Sequence, residues 1–383
     1  MTFEESPEHA ALRETVAKLC ARFGDEYFRR VLDEDGRTDE LWKALGDAGF
    51  VGVNLPEEYG GGGAGISELA IVVEETAAAG TPLLLLLVSA AISGEILKEF
   101  GTAEQRQRWL PAMASGADKM VFAITEPDAG SNSHRLSTTA EPDGDGWIIN
   151  GAKYYISGVD EASWLLVVAR TGTDERGQGR MTLFVVDTDA PGLRRSRIPV
   201  EMRAPEKQYT LNFDGVRIAD DRRIGEPGTG MEIVFRGLNP ERITGAAIEN
   251  GIARYALDKA ARYAREREVW GVPIGAHQGV SHPLAAAAID VELARLMTTK
   301  AAWLHDRARP AGEAANMAKY AAAEAALKAL DAAIQTHGGN GLATEFGLAH
   351  LWGMARLLRI APVSREMILN YVAGHTLRLP RSY

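Results

Sequence analysis

The chain has 383 residues, which is enough for two or three domains of ordinary size. Its formal net charge of −10 argues against nucleic acid or an anionic membrane as the main partner, because both bind clustered positive charge. Cys20 is the single cysteine, so the sequence excludes an internal disulfide and favours a core position for this thiol. Residues 1–12 lack the basic and apolar regions of a secretory signal, and we expect a cytoplasmic protein.

The first two thirds of the chain contain two kinds of sequence. Residues 1–119 are mostly helical in pattern, with apolar residues at three- and four-residue steps and a buried apolar helix predicted over 82–97. Residues 120–225 contain short β-type runs separated by turn signals such as Asn150-Gly151 and Asp214-Gly215. Those runs lie at 147–150, 153–156, 164–168, 183–186 and 209–213.

The last block of the chain, residues 226–383, is again helical. Ala-rich stretches with apolar residues at helical spacing run over 243–267, 284–306 and 314–336. Few but long helices are typical of a bundle. The sequence therefore predicts an α+β protein with an N-terminal helical domain (1–119), a middle antiparallel β domain (120–225) and a C-terminal helical bundle (226–383).

A short polar motif, Thr-Glu-Pro-Asp-Ala-Gly-Ser at residues 125–131, lies at the junction of the first two blocks. Pro127 and Gly130 fix a turn, and Thr125 and Ser131 offer hydroxyls. Such a turn can present backbone N–H groups and hydroxyls to an anion or to a planar polar ring. Composition alone favours the simpler interpretation, which is an interdomain turn with Ser and Asn caps.

Three further motifs combine aromatic, basic and glycine residues at the ends of predicted elements. They are Tyr-Tyr-Ile-Ser at 154–157, a segment at 265–278 that ends a basic helix, and Gln-Thr-His-Gly-Gly-Asn-Gly at 335–341. Taken singly, they are typical of a half-buried strand, of arginines against a helix dipole and of a glycine C-cap. The same features also suit ligand contact, because Arg binds phosphate in bidentate fashion and glycine lets a backbone approach a ligand closely.

Together, in this order and at this spacing, these motifs resemble those of the acyl-CoA dehydrogenase flavoprotein family. The Leu-Pro-Glu-Glu-Tyr-Gly-Gly loop at 55–61 also looks like the family, and the likeness extends over essentially the whole chain. It implies an N-terminal helical domain, a middle β-barrel domain and a C-terminal four-helix bundle, with FAD between the β domain and the bundle. The family's FAD contacts cross a dimer interface, so a complete site would need at least a dimer, and the resemblance implies a homotetramer.

The resemblance implies FAD contacts from several parts of the chain. Thr125 and Ser131 correspond to residues that contact the flavin and its phosphates. Tyr155 corresponds to a residue that packs at the ring and Ser157 to a hydroxyl near flavin N5, where the family usually has Trp and Thr. Contacts with the ADP half of a neighbouring subunit's FAD are implied for Arg267, Trp270, Gln278, Gln335, Gly338 and Gly339, and further flavin contacts for Ser364 and Glu366.

The family reaction removes the α-proton of an acyl thioester and passes the β-hydrogen as a hydride to flavin N5. It needs a carboxylate whose pKa is raised by desolvation, and hydrogen bonds to the thioester carbonyl that acidify the α-carbon. Many members place this base in a Tyr-Glu-Gly-Thr segment after the glycine turn. The aligned segment here is Ile-Ala-Pro-Val-Ser-Arg-Glu at 360–366, and Pro362, which cannot accept a proton, falls on the catalytic position.

Glu241 is the alternative base that the resemblance offers. Isovaleryl-CoA and long-chain members place the carboxylate on a neighbouring bundle helix, one residue before a characteristic Arg, and Glu241 and Arg242 match this pair. The residues alone also fit a helix start, with Asn239 as N-cap, Pro240 in the first position and an acid in the first turn. Because catalysis requires a positioned carboxylate, we favour Glu241 as the base over Glu366, the other candidate.

An apolar helix and two polar residues are expected to contact the substrate. The helix over 83–96 should line the acyl pocket, with Val88 near its floor, and the resemblance adds Arg242 and Ser131. The implied partners are an acyl-CoA, an electron-transferring flavoprotein and further copies of the chain. Two other functions on the same fold stay open, a flavin-dependent monooxygenase and a catalytically inactive FAD-binding relative. Retention of both Glu241 and Arg242 argues against the monooxygenase.

Overall fold

The computed structural model describes residues 5–175 and 177–380, and the chain begins as a group of helices. The helices before the sheet are α1 (Pro7–Cys20), α2 (Gly24–Asp33), α3 (Asp39–Asp47), α4 (Ile66–Ala78), α5 (Glu95–Phe100) and α6 (Ala103–Ala114). Ser6 and Thr102 cap α1 and α6, since each side-chain oxygen accepts a backbone N–H of the first turn. Cys20 is buried in the core at the end of α1, as the sequence predicts.

A π-helix, Leu86–Gly94, runs directly into α5. Residues 83–94 are all buried except Val88, which is half-buried, and this confirms the buried helix predicted over 82–97. The side-chain oxygen of Ser89 accepts a hydrogen bond from Met120 N at 3.1 Å, so the π-helix is joined to the first strand of the sheet. Wide helical turns of this kind are rare and occur frequently at functional sites.

The middle of the chain forms one large sheet. Its strands are β1 (Met120–Ala123), β2 (Thr139–Asp143), β3 (Gly146–Ser157), β4 (Trp164–Thr173), β5 (Gly179–Asp187), β6 (Leu193–Arg197), β7 (Gln208–Ala219) and β8 (Arg223–Ile224). They are ordered β6-β7-β3-β2-β4-β5-β8, with β1 beside β4. Every β-type run predicted from the sequence lies within β3, β4, β5 or β7, which confirms those predictions.

The sheet is mixed and open, which corrects the expectation of an antiparallel β-barrel. Both β1 and β2 pair with β4 in parallel, whereas the other pairings are antiparallel. Among the described residues, β6 and β8 are the two edges and no pairing joins them. Closure of a barrel depends on pairing between strands that are distant in sequence, and short β-type runs carry no information about it.

Two of the predicted hairpin turns are wrong. Asn150-Gly151 lies inside β3 and Asp214-Gly215 inside β7, and the pairing of the two strands is irregular at this point. Gly215 N donates to Asn150 Oδ1 at 2.8 Å, and Gly151 and Gly215 have φ of 140° and 64°. At this bulge the two glycines have the positive φ that a hairpin turn also uses, so the same residue types serve both. A third turn signal in the sequence, Asp-Gly-Asp-Gly at 143–146, is a hairpin turn as predicted and connects β2 to β3.

The last part of the chain is helical. Its elements are α7 (Gly230–Glu266), a small hairpin of β9 (Glu268–Val269) and β10 (Val272–Pro273), α8 (Gln278–Asp306), α9 (Gly312–His337), α10 (Leu351–Leu358), α11 (Arg365–Tyr371) and a π-turn (Val372–Thr376). Because α7 begins at Gly230, Asn239 and Pro240 lie inside the helix, and the helix start expected there is wrong. Asn239 Oδ1 accepts from the Arg242 guanidinium at 3.2 Å rather than capping a helix.

Close helix contacts join α7 to the N-terminal helices. A Cβ on Gly251 would overlap the backbone oxygen of Glu74 in α4 and lie 2.5 Å from the Ala77 Cβ. A Cβ on Gly237 would lie 2.9 Å from the end of the Ile96 side chain in α5. The backbones of α4 and α7 therefore touch at Gly251, and Gly237 leaves room for the Ile96 side chain. Over the described ranges, no helix is both long and apolar enough to cross a membrane.

We expect Gly251→Ala to lower the free energy of unfolding by about 1–3 kcal/mol, because the added methyl forces α4 and α7 apart. Chemical denaturation of the purified protein measures the change. Gly279→Ala in α8 is the matched control, since a Cβ there meets no atom within 4 Å. An equal loss in both variants would contradict a contact-specific effect.

Candidate functional site

Glu126 anchors the 125–131 loop from inside the protein. Its buried carboxylate accepts hydrogen bonds from Lys153 Nζ at 2.8 Å, from Thr138 N at 3.0 Å, and from the backbone and hydroxyl of Ser137 at 2.6 and 2.7 Å. Although burial opposes it, the pKa of Glu126 falls to about 2, because Lys153 and these donors hold the ionised form. The loop is therefore fixed by a buried ion pair with further hydrogen bonds.

The loop is a tight turn that is bonded to β3. Glu126 N donates to Ala129 O at 3.1 Å, and Ala129 N donates to Glu126 O at 3.2 Å. Tyr154 N donates to Thr125 O at 2.8 Å, so the start of the loop lies against the end of β3. Ser131 is exposed at the far end of the loop. The structure thus brings Thr125 to the Tyr-Tyr-Ile-Ser motif.

The end of β3 presents an aromatic ring and a hydroxyl. Tyr155 has a φ of 55° and is 53% exposed, so its ring stands away from the sheet. Ser157 is half-buried, and its hydroxyl donates to Gln208 Oε1 at 3.0 Å. A Cβ on the next residue, Gly158, would lie 2.9 Å from the Leu85 side chain, so the strand end meets the start of the apolar helix. Val88 on that helix is half-buried among buried neighbours.

A second group of predicted site residues lies at the far end of α7. Arg267 follows the helix, and the β9–β10 hairpin turns at Trp270 and Gly271, both of which have positive φ. Positive φ at both positions is the geometry of a type I′ turn. Trp270 is 88% exposed, with its ring edge-on to His277 at 5.8 Å between centroids. Gln278, the first residue of α8, is exposed beside it.

The glycine motif after α9 lies at this same end of the bundle. Tyr263 of α7 stacks on His337 at 4.3 Å between ring centroids, and Asn340 Nδ2 donates to the Tyr263 hydroxyl at 3.1 Å. Gly338 and Gly339 are exposed, and a Cβ on either would meet no atom within 4 Å. Their backbone is open to a ligand, as is the exposed side chain of the preceding Gln335 in the same motif, so this end of the bundle can accept a polar group.

The two groups of predicted residues lie far apart along one chain. Helix α7 is continuous from Glu241 almost to Arg267, and 26 residues of helix extend for about 39 Å. The residues of the 125–131 loop and the end of β3 are linked through Leu85 to the helix that packs at the start of α7. One chain therefore keeps the two groups of predicted residues, the candidate half-sites, apart from each other.

Glu241 is buried at the contact between α7 and the apolar helix. It lies on the same face of α7 as Gly237 and Gly245, one turn from each, and these glycines touch Ile96 and Leu87. Its Oε2 atom accepts no hydrogen bond from the described residues. Burial raises the pKa of the Glu241 carboxyl to about 8, against the opposing charges of Arg242 and Lys319.

Arg242 is the second incompletely bonded polar group at this point. Its guanidinium donates to Asn239 Oδ1, whereas its buried Nε atom has no partner within the described ranges. Burial also lowers the pKa of Arg242. Buried polar groups are nearly always hydrogen-bonded in folded proteins, so the neighbouring unpartnered atoms of Glu241 and Arg242 leave hydrogen-bonding capacity open to a water molecule or a ligand.

The 360–366 segment offers no buried acid. Pro362 and its neighbours carry no carboxylate, and Ser364 caps α11 by accepting from Met367 N at 3.3 Å. The Glu366 side chain is 72% exposed and lies 3.5 Å from the Arg365 guanidinium. Of the two carboxylates weighed as a base, Glu241 is buried and Glu366 faces solvent.

Four buried charged residues near the candidate site were missed by sequence reasoning. They are Glu126, Lys153, Glu249 and Lys319, which form two buried ion pairs. Glu126 lies in a loop and gave no sequence signal. The sequence signal was present for Lys153, Glu249 and Lys319, because each lies at a core-facing position of a strand or a helix. It pointed to no partner, since 27 residues separate the first pair and 70 the second.

The chain matches known protein families along most of its length. The profiles of the acyl-CoA dehydrogenase N-terminal, middle and C-terminal domains match residues 6–117, 121–216 and 228–377, respectively. The chain is similar to acyl-CoA dehydrogenase FadE12 of Mycobacterium tuberculosis, with 54% identity over 100% of this chain and 99% of that protein.

Two solved structures share the fold over almost the full length. The glutaryl-coenzyme A dehydrogenase glutaryl-CoA complex aligns with a TM-score of 0.92 and 31% identity, over 99% of this chain and 98% of that one. The FAD complex of PigA aligns with a TM-score of 0.92 and 26% identity, over 99% of this chain and 100% of that one.

We expect Glu126→Gln to destabilise the protein by about 3–5 kcal/mol, because it leaves Lys153 buried without its counter-charge. Chemical denaturation of the variant measures the loss. The double variant Glu126→Gln/Lys153→Met removes both charges and should cost less than the single change. A double variant that is as unstable as the sum of two single ones would contradict this coupling.

Proposed function

The chain belongs to the acyl-CoA dehydrogenase family, whose FAD-dependent chemistry oxidises acyl-CoA thioesters, and on that premise we propose Glu241 as its catalytic base. The observation that carries the proposal is a buried carboxylate oxygen without a hydrogen-bond partner among the described residues, next to the similarly unsatisfied Arg242. Dehydrogenation of an acyl thioester begins with loss of a weakly acidic α-proton. A base for this step needs a raised pKa and shelter from water.

The surroundings of Glu241 supply both properties. Leu87 and Ile96 contact the glycines on either side of it, so its carboxyl lies at an apolar contact between helices. Its pKa of about 8 allows part of the carboxyl to be ionised near neutral pH and makes it a stronger base than an exposed glutamate. The positive charge of Arg242 favours the ionised form before proton transfer.

The proposed step moves one proton and one hydride. The Cα–H bond breaks, the proton goes to the Glu241 carboxylate, and the electron pair left on Cα forms the Cα=Cβ bond as the hydride leaves Cβ. When bound, FAD accepts that hydride. Arg242 stays charged throughout and can donate to an oxygen of the substrate through the Nε atom that the protein leaves unpaired.

The two half-sites fit the two ends of an FAD molecule in a homo-oligomer. Thr125, Ser131, Tyr155 and Ser157 offer an exposed ring, a turn and hydroxyls for the isoalloxazine side. Arg267, Trp270, Gln278, Gln335, Gly338 and Gly339 of a second copy, together with Ser364 and Glu366, would hold the remainder. Support comes from the exposed Trp270 and from the open backbone at Gly338 and Gly339. The length of α7 supports a shared site, because one chain cannot bring both half-sites to the same cofactor.

The acyl chain is proposed to lie beside the π-helix. Val88 is half-buried where its neighbours are buried, so it can border an apolar pocket near Glu241. Bulky Leu and Val side chains on this helix favour a short or branched acyl chain. Electrons would then pass from the enzyme to an electron-transferring flavoprotein, as the family relation suggests.

We expect Glu241→Gln to slow flavin reduction by acyl-CoA by about 10²–10⁴-fold, because a general base contributes on this order. Anaerobic stopped-flow measurement of the flavin absorbance checks this, with FAD content measured for every variant. Glu232→Gln, an exposed acid on the same helix, is the matched control. If Glu366→Gln abolishes reduction while Glu241→Gln does not, the base is Glu366.

We expect the kcat/KM of the enzyme to rise with pH through about 8, because Glu241 must be ionised to accept a proton and its pKa is raised to that value. Below this pH the protonated form, which cannot accept the α-proton, increasingly predominates. Steady-state rates with a good acyl-CoA and an artificial electron acceptor give the profile. A profile that stays flat from about pH 6 to about pH 9 would contradict a desolvated base.

A further inference from the structure

A second buried carboxyl lies two helical turns after Glu241. Glu241, Gly245 and Glu249 follow one another at four-residue steps, so they line one face of α7. Glu249 is fully buried, and its Oε1 atom has no hydrogen-bond partner in the described part of the chain. Burial raises the pKa of Glu249 to about 7. Two carboxyls thus lie on the same buried face of one helix.

One lysine from α9 crosses this face between the two carboxyls. A Cβ on Gly245 would lie 3.3 Å from Lys319 Cε and 3.5 Å from Lys319 Cδ, so the glycine makes room for the lysine stem. Lys319 Nζ lies 3.3 Å from Glu249 Oε2 and donates to the Leu358 carbonyl oxygen. The Lys319 side chain is 1% exposed, so its charge acts almost without screening by solvent.

The other charges around the two carboxyls are already engaged or distant. Arg242 lies beside Glu241, and Tyr371 of α11 faces Arg242. Glu324 of α9 acts on Glu249 as a like charge, but it is paired with Arg359 at 2.7 Å and with Arg365 at 2.9 Å.

The local charges therefore balance two against two. Arg242 and Lys319 supply two positive charges, and ionised Glu241 and Glu249 supply two negative charges. Removal of Lys319 leaves one buried negative charge in excess, so one carboxyl must stay protonated. Removal of the Glu249 charge leaves the positive charge of Lys319 to act on Glu241 without a competing carboxylate, which favours the ionised form of Glu241. The two changes act on Glu241 in opposite directions.

We propose that Lys319 is a positioning residue whose charge, held between the two carboxyls by Glu249 and the Leu358 carbonyl, sets the pH at which Glu241 becomes able to accept a proton. This inference rests on the proposed role of Glu241 as base. Gly245 contributes to this arrangement, because a side chain there would crowd the Lys319 stem. Lys319 itself takes no part in proton transfer.

The test compares Lys319→Met with Glu249→Gln in the holoenzyme. We expect Lys319→Met to move the rise of kcat/KM to higher pH by about one unit or more, and Glu249→Gln to move it to lower pH. The double variant should return towards the wild-type profile. Lys328→Met, a partly exposed lysine on the same helix, is the control and should leave the profile unchanged.

A second measurement follows the protonation of the Glu241 carboxyl directly. Infrared difference spectra against pH report the protonated carboxyl of Glu241, which is assigned as the band that disappears in Glu241→Gln. The midpoint of this band should shift in the same two directions as the rate profile. The double variant Lys319→Met/Glu249→Gln removes both charges of the buried pair. If Lys319→Met alone fails to fold, comparison of this double variant with Glu249→Gln still measures the effect of the Lys319 charge.

The outcomes separate the two proposals. Shifts in the same direction for Lys319→Met and Glu249→Gln, or no shift in either, overturn the role of Lys319 and leave Glu241 as base. If Glu241→Gln retains rapid flavin reduction, the base assignment fails. In that case the infrared midpoints still decide whether Lys319 controls the ionisation of Glu241.

Discussion

The close approach of α7 to its neighbours is the constraint on which the candidate site depends. Gly251 lets the helix touch the backbone of α4, and Gly237 and Gly245 admit side chains from α5, the π-helix and α9. Because Glu241 lies between these last two glycines, the packing that stabilises the fold also removes water from its carboxyl. The same carboxyl on an exposed helix face would keep an ordinary pKa and be a weak base near neutral pH.

Two buried glutamates show how the surroundings decide between a structural and a reactive carboxyl. Glu126 is surrounded by a lysine, two backbone N–H groups and a hydroxyl, and its pKa falls to about 2. Glu241 is buried with one oxygen left without a partner in the described residues, and its pKa rises to about 8. The first carboxylate is fully satisfied and holds a loop, whereas the second retains the capacity to accept a proton.

Local features of the fold were predictable, and features that depend on distant contacts were not. β-type runs marked strands correctly, because strand preference and alternation are encoded in neighbouring residues. Asn150-Gly151 suggested a turn, because a bulge with positive φ uses the same residue types. Asn239-Pro240 suggested a helix start, because this pair is unfavourable inside a helix, yet tertiary packing keeps α7 continuous through it and Asn239 bonds Arg242 instead. The glutamate–arginine pair was found through its family resemblance. The contact of Lys319 with Glu249 was not predictable, since it arises only when α9 packs on α7.

Two exposed aromatic residues in the half-sites have a backbone conformation that is costly for their type. Tyr155 and Trp270 both have positive φ, at 55° and 53°, and a residue other than glycine in this region loses about 1–3 kcal/mol. Each also leaves a large apolar ring in water, at 53% and 88% exposure. Both costs are offset when a planar ligand or a second chain covers the rings, because burial of an aromatic side chain returns free energy of similar size. Of the non-glycine residues with positive φ in the described part of the chain, which also include Asp35, Ala308 and Arg378, these two are the aromatic ones, and they lie where the proposed FAD and a second copy of the chain would meet this one.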